Sequence, residues 1–127
     1  MSKDFSKWIR LKANLDAMPG TAFAHPREIW WCSLGANVGV ETDGKNENFE
    51  RPVIVMRVYN TQSMLVLPLT SKERNDRFHH KIATAQKESW VKLTQARVVS
   101  NKRLLRKVDV LGQRDFEELQ DIWKAFV

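Results

Sequence analysis

Arg51-Pro52-Val53-Ile54-Val55-Met56-Arg57-Val58-Tyr59 is the stretch on which the fold turns. Its uninterrupted apolar run, Val53 to Met56, suits a strand buried on both faces. Pro52 fits at the strand start, where no ladder donor is needed. Asn60-Thr61-Gln62-Ser63 carries turn formers, and Met64 to Leu69 returns as a second strand, so a hairpin is expected.

Working outward, Glu28 to Leu34 (Glu-Ile-Trp-Trp-Cys-Ser-Leu) is rich in strand formers. Residues 35–50 are polar, contain Gly35, Gly39 and Gly44, and read as a long functional or mobile loop. Downstream, residues 72–77 form a charged loop and residues 78–85 a strand. Residues 90–93 and 97–100 are short strand pieces, 101–106 a helical turn, and 107–111 a last strand. Phe116, Leu119, Ile122, Trp123 and Phe126 make the apolar stripe of a C-terminal helix, and Asp115 with Glu118 matches a capping box. At the other end, Trp8, Leu11, Leu15 and Met18 predict a helix over residues 4–18, stopped by Pro19-Gly20. The expected fold is mainly β (α+β): a small β-barrel with a C-terminal amphipathic helix and an appended N-terminal helix. Residues 1–26 read as the helical extension and connector, and residues 27–127 as the barrel domain.

A chain of 127 residues is long enough to bury one core without disulfides or a structural metal. Cys32 is the single cysteine, and the first residues lack the order of a secretory signal. No apolar run is long enough to cross a bilayer. A cytoplasmic setting without membrane association is therefore expected. The net charge of +6 points to phosphate polymers or acidic proteins as partners. Between Lys72 and Lys107 eleven basic residues face three acidic ones, an excess of eight positive charges concentrated in one segment. A basic excess of that kind suits a solvated surface or a nucleic-acid surface. No Gly-rich phosphate loop, zinc-type cysteine pattern or nucleophile elbow is present. His79 and His80 are adjacent in a predicted strand, so their rings point to opposite faces and cannot share a metal; neither a metal nor another cofactor is expected.

The order of segments carries a resemblance. Glu28-Ile29-Trp30-Trp31 is followed by Leu34-Gly35, Val38-Gly39 and Glu41, then by Arg51-Pro52-Val53-Ile54-Val55, Pro68-Leu69-Thr70-Ser71 and Gln95-Ala96-Arg97, and finally by the amphipathic helix. This resembles the MazF/PemK family of toxins from type II toxin–antitoxin systems, over residues 27–126. The resemblance implies an SH3-like barrel that dimerises and cuts single-stranded RNA without a metal. It also implies a cognate antitoxin, acidic to match this charge.

Metal-free RNA cleavage by the ribose 2′-hydroxyl needs a proton acceptor, a proton donor for the leaving 5′-oxygen, and donors that hold the charged phosphorane. Arg51 suits the last task, with a planar, permanently charged fork; its alternative is an ion pair with Glu41 or Glu50. Thr70 and Ser71 can donate to phosphate or position the 2′-hydroxyl, or can cap a turn. Some family members carry an arginine and an aspartate in the segment matching residues 91–95, where this chain has Lys92 and Thr94. Lys92 can stabilise charge, but Thr94 cannot be a carboxylate base. His79, His80 and Glu41 are the remaining acid–base candidates. Gln95 and Arg97 are candidate RNA contacts, and Phe49, Trp90 and residues 38–48 are candidates for holding unpaired bases. The alternative function is a non-catalytic nucleic-acid-binding module on the same barrel; a protein-interaction domain is the third reading.

Overall fold

The computed structural model describes residues 23–34 and 50–127. The expected N-terminal helix, Phe49 and Glu41 lie outside the described residues. Within them the chain runs β1 (Glu28–Ser33), β2 (Glu50–Asn60), β3 (Ser63–Thr70), β4 (His79–Ala83), β5 (Glu88–Lys92), β6 (Arg97–Ser100), β7 (Leu104–Val110) and α1 (Gln113–Lys124). A single 3-10 turn, Asn101–Arg103, joins β6 to β7. The pairings are antiparallel, in the order β4-β5-β3-β2-β1-β7, with β6 added to β3.

β2 is central, and its two faces feed two cores. Ile54 and Met56 join Ile29, Leu67, Leu69 and Val91 beneath Phe116, Leu119 and Trp123 of α1. Val53 and Val55 join Cys32, Met64, Val66, Val99 and Leu104 on the other side. A strand walled by apolar contacts on both faces cannot alternate apolar with polar, which is why its sequence runs Val-Ile-Val-Met.

β3 divides its free edge between two partners. Ser63 to Val66 pair with β6, whereas Leu69 and Thr70 pair with β5. Pro68, which brings no N–H to a ladder, falls in the gap between them. The sheet is not closed: β4 and β7 are its ends. A side chain spans from one end to the other, with Gln86 Nε2 in the β4–β5 turn donating to the Val108 carbonyl at 3.1 Å.

Arg27, just before β1, has φ of 80°, a left-handed conformation uncommon for a residue with a side chain. Its surroundings hold it there. Arg27 N–H donates to the Val55 carbonyl at 3.0 Å, its own carbonyl accepts from Leu111 N–H at 2.9 Å, and its Nε donates to the Leu111 carbonyl at 2.9 Å. One strained residue thus ties β1 to the middle of β2 and to the start of α1.

Three local expectations change. α1 starts earlier than the capping box implies: Gly112 is the N-cap, in extended conformation and without a side-chain cap bond. Asp115 and Glu118 therefore lie inside the helix, where Asp115 complements the dipole of the first turn instead of capping it. The helical turn after β6 is only Asn101–Arg103, so β7 begins at Leu104 instead of Lys107. Ser100 Oγ caps the turn at its start, accepting from Lys102 N–H at 3.2 Å, and Leu104 N–H closes it on the Asn101 carbonyl.

Leu119 is fully buried between α1 and the sheet. Leu119→Ala is expected to cost about 3 kcal/mol. Urea unfolding would show this as a lower midpoint with an unchanged slope.

Candidate active site

The ladder between β2 and β3 ends at the pair Val53–Pro68. Beyond it the strands part. β2 continues along β1, with Pro52 opposite Trp31, Arg51 opposite Cys32 and Glu50 opposite Ser33. β3 continues along β5, with Leu69 opposite Val91 and Thr70 opposite Trp90. A wedge is left between them. The Arg51 guanidinium bridges it, with Nη1 donating to the Leu69 carbonyl at 3.1 Å. Arg51 is only 6% exposed, so this cation must be met by acceptors or by an anion.

The wedge opens into a cleft of about 120 Å³ lined by Trp31, Glu50, Arg51, Pro52, Leu69, Thr70, Ser71 and Lys87. Arg51, Thr70 and Ser71, inferred from separate motifs, thus meet in one place. Thr70 is buried, and its Oγ1 accepts from Lys72 N–H at 3.2 Å. The turn-cap reading of Thr70 therefore holds together with the cleft position, because a hydroxyl that accepts one bond still has its own O–H to donate. Ser71 is exposed at the rim.

The other candidates are distributed around this cleft. Leu69, Val91 and His80 form one rung across β3, β5 and β4, and Thr70, Trp90 and Lys81 form the next. His80 consequently shares a face with Leu69, Val91 and Ile82, which build the core under α1. His79 lies on the opposite face with Lys92, its cross-strand partner, and with Thr70 and Trp90. Its Nδ1 lies 2.8 Å from Asp76 Oδ1, and this bond holds the Asp76 carboxyl below its ordinary range. Gln95 sits in the turn after β5, where its N–H donates to the Lys92 carbonyl at 3.3 Å. Arg97 pairs with Val66 on β6 and shares the face of Arg51. None of His79, His80, Lys92, Gln95 and Arg97 lines the Arg51 cleft.

Three cleft residues were not singled out as site residues from the sequence. Glu50 immediately precedes the Arg51 motif, and its carboxylate receives Arg106 Nη1 and Nη2 at 3.4 Å each. Trp31 carries the same Arg106 guanidinium 5.1 Å from its ring centroid. Trp31 lies within a quoted motif and Glu50 directly precedes one, where it was considered only as an ion-pair partner of Arg51, so motif proximity was the available signal. Lys87 arrives from the β4–β5 turn, and nothing local in the sequence points to it.

Behind Arg51, Cys32 is fully buried. Burial pushes its thiol up to about 12, against the pull of the Arg103 and Arg97 charges. Arg103 also donates from Nη1 to the Ser33 carbonyl at 3.3 Å.

Fold and cleft define a class: small antiparallel β-domains with a closing helix and a buried arginine where two central strands part. Residues 25–126 match the family model described as the PemK-like, MazF-like toxin of type II toxin–antitoxin systems, and the chain belongs to that family. No curated protein matches it in sequence. Solved structures do match in shape. MazF from Deinococcus radiodurans superposes with a TM-score of 0.69 at 17% identity, covering 82% of this chain and 96% of that one. The MazE–MazF complex from the same organism gives a TM-score of 0.64 at 14% identity, covering 82% and 94%. An endoribonuclease in complex with its cognate antitoxin, from a mycobacterial species, gives 0.64 at 9% identity, covering 81% and 93%. At such identities the likeness is one of fold.

Because the folded thiol of Cys32 holds its proton to about pH 12, while an unfolded one loses it near 9, the folded state binds more protons between those values. Its contribution to stability is complete below pH 9 and is lost as pH rises towards 12. Native protein at pH 8 is expected to resist a thiol-titrating reagent until denaturant is added. Cys32→Ala is expected to flatten the alkaline fall in melting temperature.

Proposed function

We propose that this chain is an endoribonuclease toxin that cleaves single-stranded RNA without a metal, by attack of a ribose 2′-hydroxyl on the adjacent phosphate. The observation that carries the reading is the meeting of Arg51, Thr70 and Ser71 in one cleft, in a chain whose residues 25–126 belong to the PemK-like, MazF-like family. In this reading the domain of residues 27–127 is a variant SH3-like barrel, its seam between β4 and β7 bridged by Gln86 instead of a ladder. Residues 1–26 are an extension to it. The toxin acts in the cytoplasm as a homodimer and is held inactive by an acidic antitoxin matched to the basic segment between Lys72 and Lys107.

The chemistry follows from the side chains. The 2′-oxygen bonds to phosphorus as its proton leaves, and the bond to the 5′-oxygen breaks as that oxygen gains a proton. The products are a 2′,3′-cyclic phosphate and a 5′-hydroxyl. Charge accumulates on the non-bridging oxygens in between. Arg51 is already fixed at the wedge and meets that charge with little reorganisation, while the Thr70 and Ser71 hydroxyls add donors. Among the described residues Glu50 is the carboxylate that lines the cleft, which makes it a proton-acceptor candidate; Glu41, outside the described residues, is the second candidate. His79 stands two strands across and two residues along from Thr70, roughly 12 Å, and so serves a neighbouring nucleotide together with Lys92. His80, on the core side, is the weaker acid–base candidate. Gln95 and Arg97 extend the RNA contacts along the β5–β6 side.

The test is cleavage of single-stranded RNA in EDTA. Arg51→Ala is expected to lower kcat about 100- to 1,000-fold, the usual cost of removing a donor to an oxyanion. Thr70→Val is expected to lower it about tenfold, the worth of one hydrogen bond. Cyclic phosphate ends identify the 2′-hydroxyl as nucleophile. Salt-sensitive binding without product would favour the non-catalytic nucleic-acid module instead.

A further inference from the structure

Beside the Arg51 cleft lies a second, larger one of about 210 Å³, with Ile29, Leu69 and Ile82 among its apolar walls. Thr84, Ser89 and Asp109 add polar groups to the lining. The two clefts adjoin: Trp31, Pro52, Leu69 and Lys87 line both. At this volume the second cleft falls below the range for drug-sized ligands and suits a single flat ring system.

Lys87 stands at the junction on a turn that is well held. Thr84 N–H donates to the Lys87 carbonyl at 3.0 Å, and Thr84 Oγ1 accepts from Gln86 N–H at 3.3 Å. Gln86 straps the same turn to Val108 across the open seam of the sheet. The turn thus places a lysine between a cleft holding a buried arginine and a cleft with apolar walls and polar edges. That alternation of charge and flat apolar surface is the alternation of a nucleic-acid strand, phosphate then base.

Resting on the endoribonuclease reading, we infer that the second cleft takes the unpaired nucleobase next to the scissile phosphate, with Lys87 on the phosphate that links the two sites. The apolar walls contact the faces of the base, and Thr84, Ser89 and Asp109 meet its polar edge. The cleft is then a determinant of which RNA sequence is cut.

The test uses the full chain. After the cut site is mapped on a long RNA, a short single-stranded RNA spanning it is made with a 2′-O-methyl group blocking the attacking oxygen. One abasic residue is walked along it. An abasic residue at one position beside the cut is expected to weaken binding about 10- to 100-fold, the usual worth of base stacking. In Ser89→Leu, whose added bulk fills the cleft, that penalty is expected to vanish. Lys87→Ala, at an exposed position, is expected to keep the penalty and reduce the slope of log affinity against log salt by about one.

The inference is overturned if no position beside the cut carries the penalty, or if the penalty persists in a folded Ser89→Leu. Should Ser89→Leu fail to fold, an unchanged salt slope in Lys87→Ala overturns it instead. The two readings fail separately. Cleavage of unblocked RNA with no positional penalty keeps the nuclease and discards the base site. Binding of the blocked RNA with the penalty, but without cleavage of the unblocked one, keeps the base site and discards the nuclease.

Discussion

The bond from Arg51 to the Leu69 carbonyl is the constraint on which the candidate site depends. Two strands that pair as far as Val53 and Pro68 part company, one following β1 and the other β5. Parting strands leave backbone groups facing each other across a gap, and a buried carbonyl without a donor is costly. A guanidinium is long enough to span such a gap and brings five donors in a planar fork. The same group that completes the backbone pairing leaves a permanent charge at the bottom of a cleft. The structural role of Arg51 does not compete with the chemical role proposed for it; the wedge accommodates both.

Much of this was legible in the sequence because strands and motifs are local. The Val53-to-Met56 run announced a strand buried on both faces, and both cores beside β2 bear that out. The hairpin at residues 60–63, the short strand at Arg97–Ser100 and the C-terminal helix followed from spacing alone. What was not legible depends on how distant segments approach. The divergence of β2 from β3 leaves no mark in either strand except Pro68, whose meaning appears only when β3 is seen to change partners there. Lys87 reaches the cleft because the β4–β5 turn folds over β7, a contact between residues far apart in sequence. The capping-box reading of Asp115 failed for a related reason. Leu111 is drawn into the core and its N–H is taken by the Arg27 carbonyl, which starts the helix at Gly112, before the acidic residues arrive.

The histidines show how register sorts residues that sequence cannot separate. Adjacent in a strand, they differ by one position and therefore by a whole face of the sheet. His80 belongs with the core beneath α1, and His79 with Lys92, Trp90 and Thr70. The basic excess is sorted in the same way. Arg97 stands on the face of Arg51, and Arg103 reaches the Ser33 carbonyl behind it, so part of the positive field arises under the site and not around it. Cys32, held neutral by burial, adds no opposing charge there.

The open seam between β4 and β7 has a consequence for how such a domain can diversify. The Arg51 wedge lies deep in the sheet, braced by β1, β3 and two cores, so its dimensions are shared by the whole molecule. The neighbouring cleft is bounded on one side by a turn held across the seam by one glutamine amide. Changes in that turn alter one wall without disturbing a ladder. In the proposed reading the groups that meet the scissile phosphate, Arg51 and Thr70, stand on braced strands, while part of the base site stands on a turn. A lineage of such proteins can therefore vary recognition through that turn, Lys87 alone being a turn residue that also lines the Arg51 cleft.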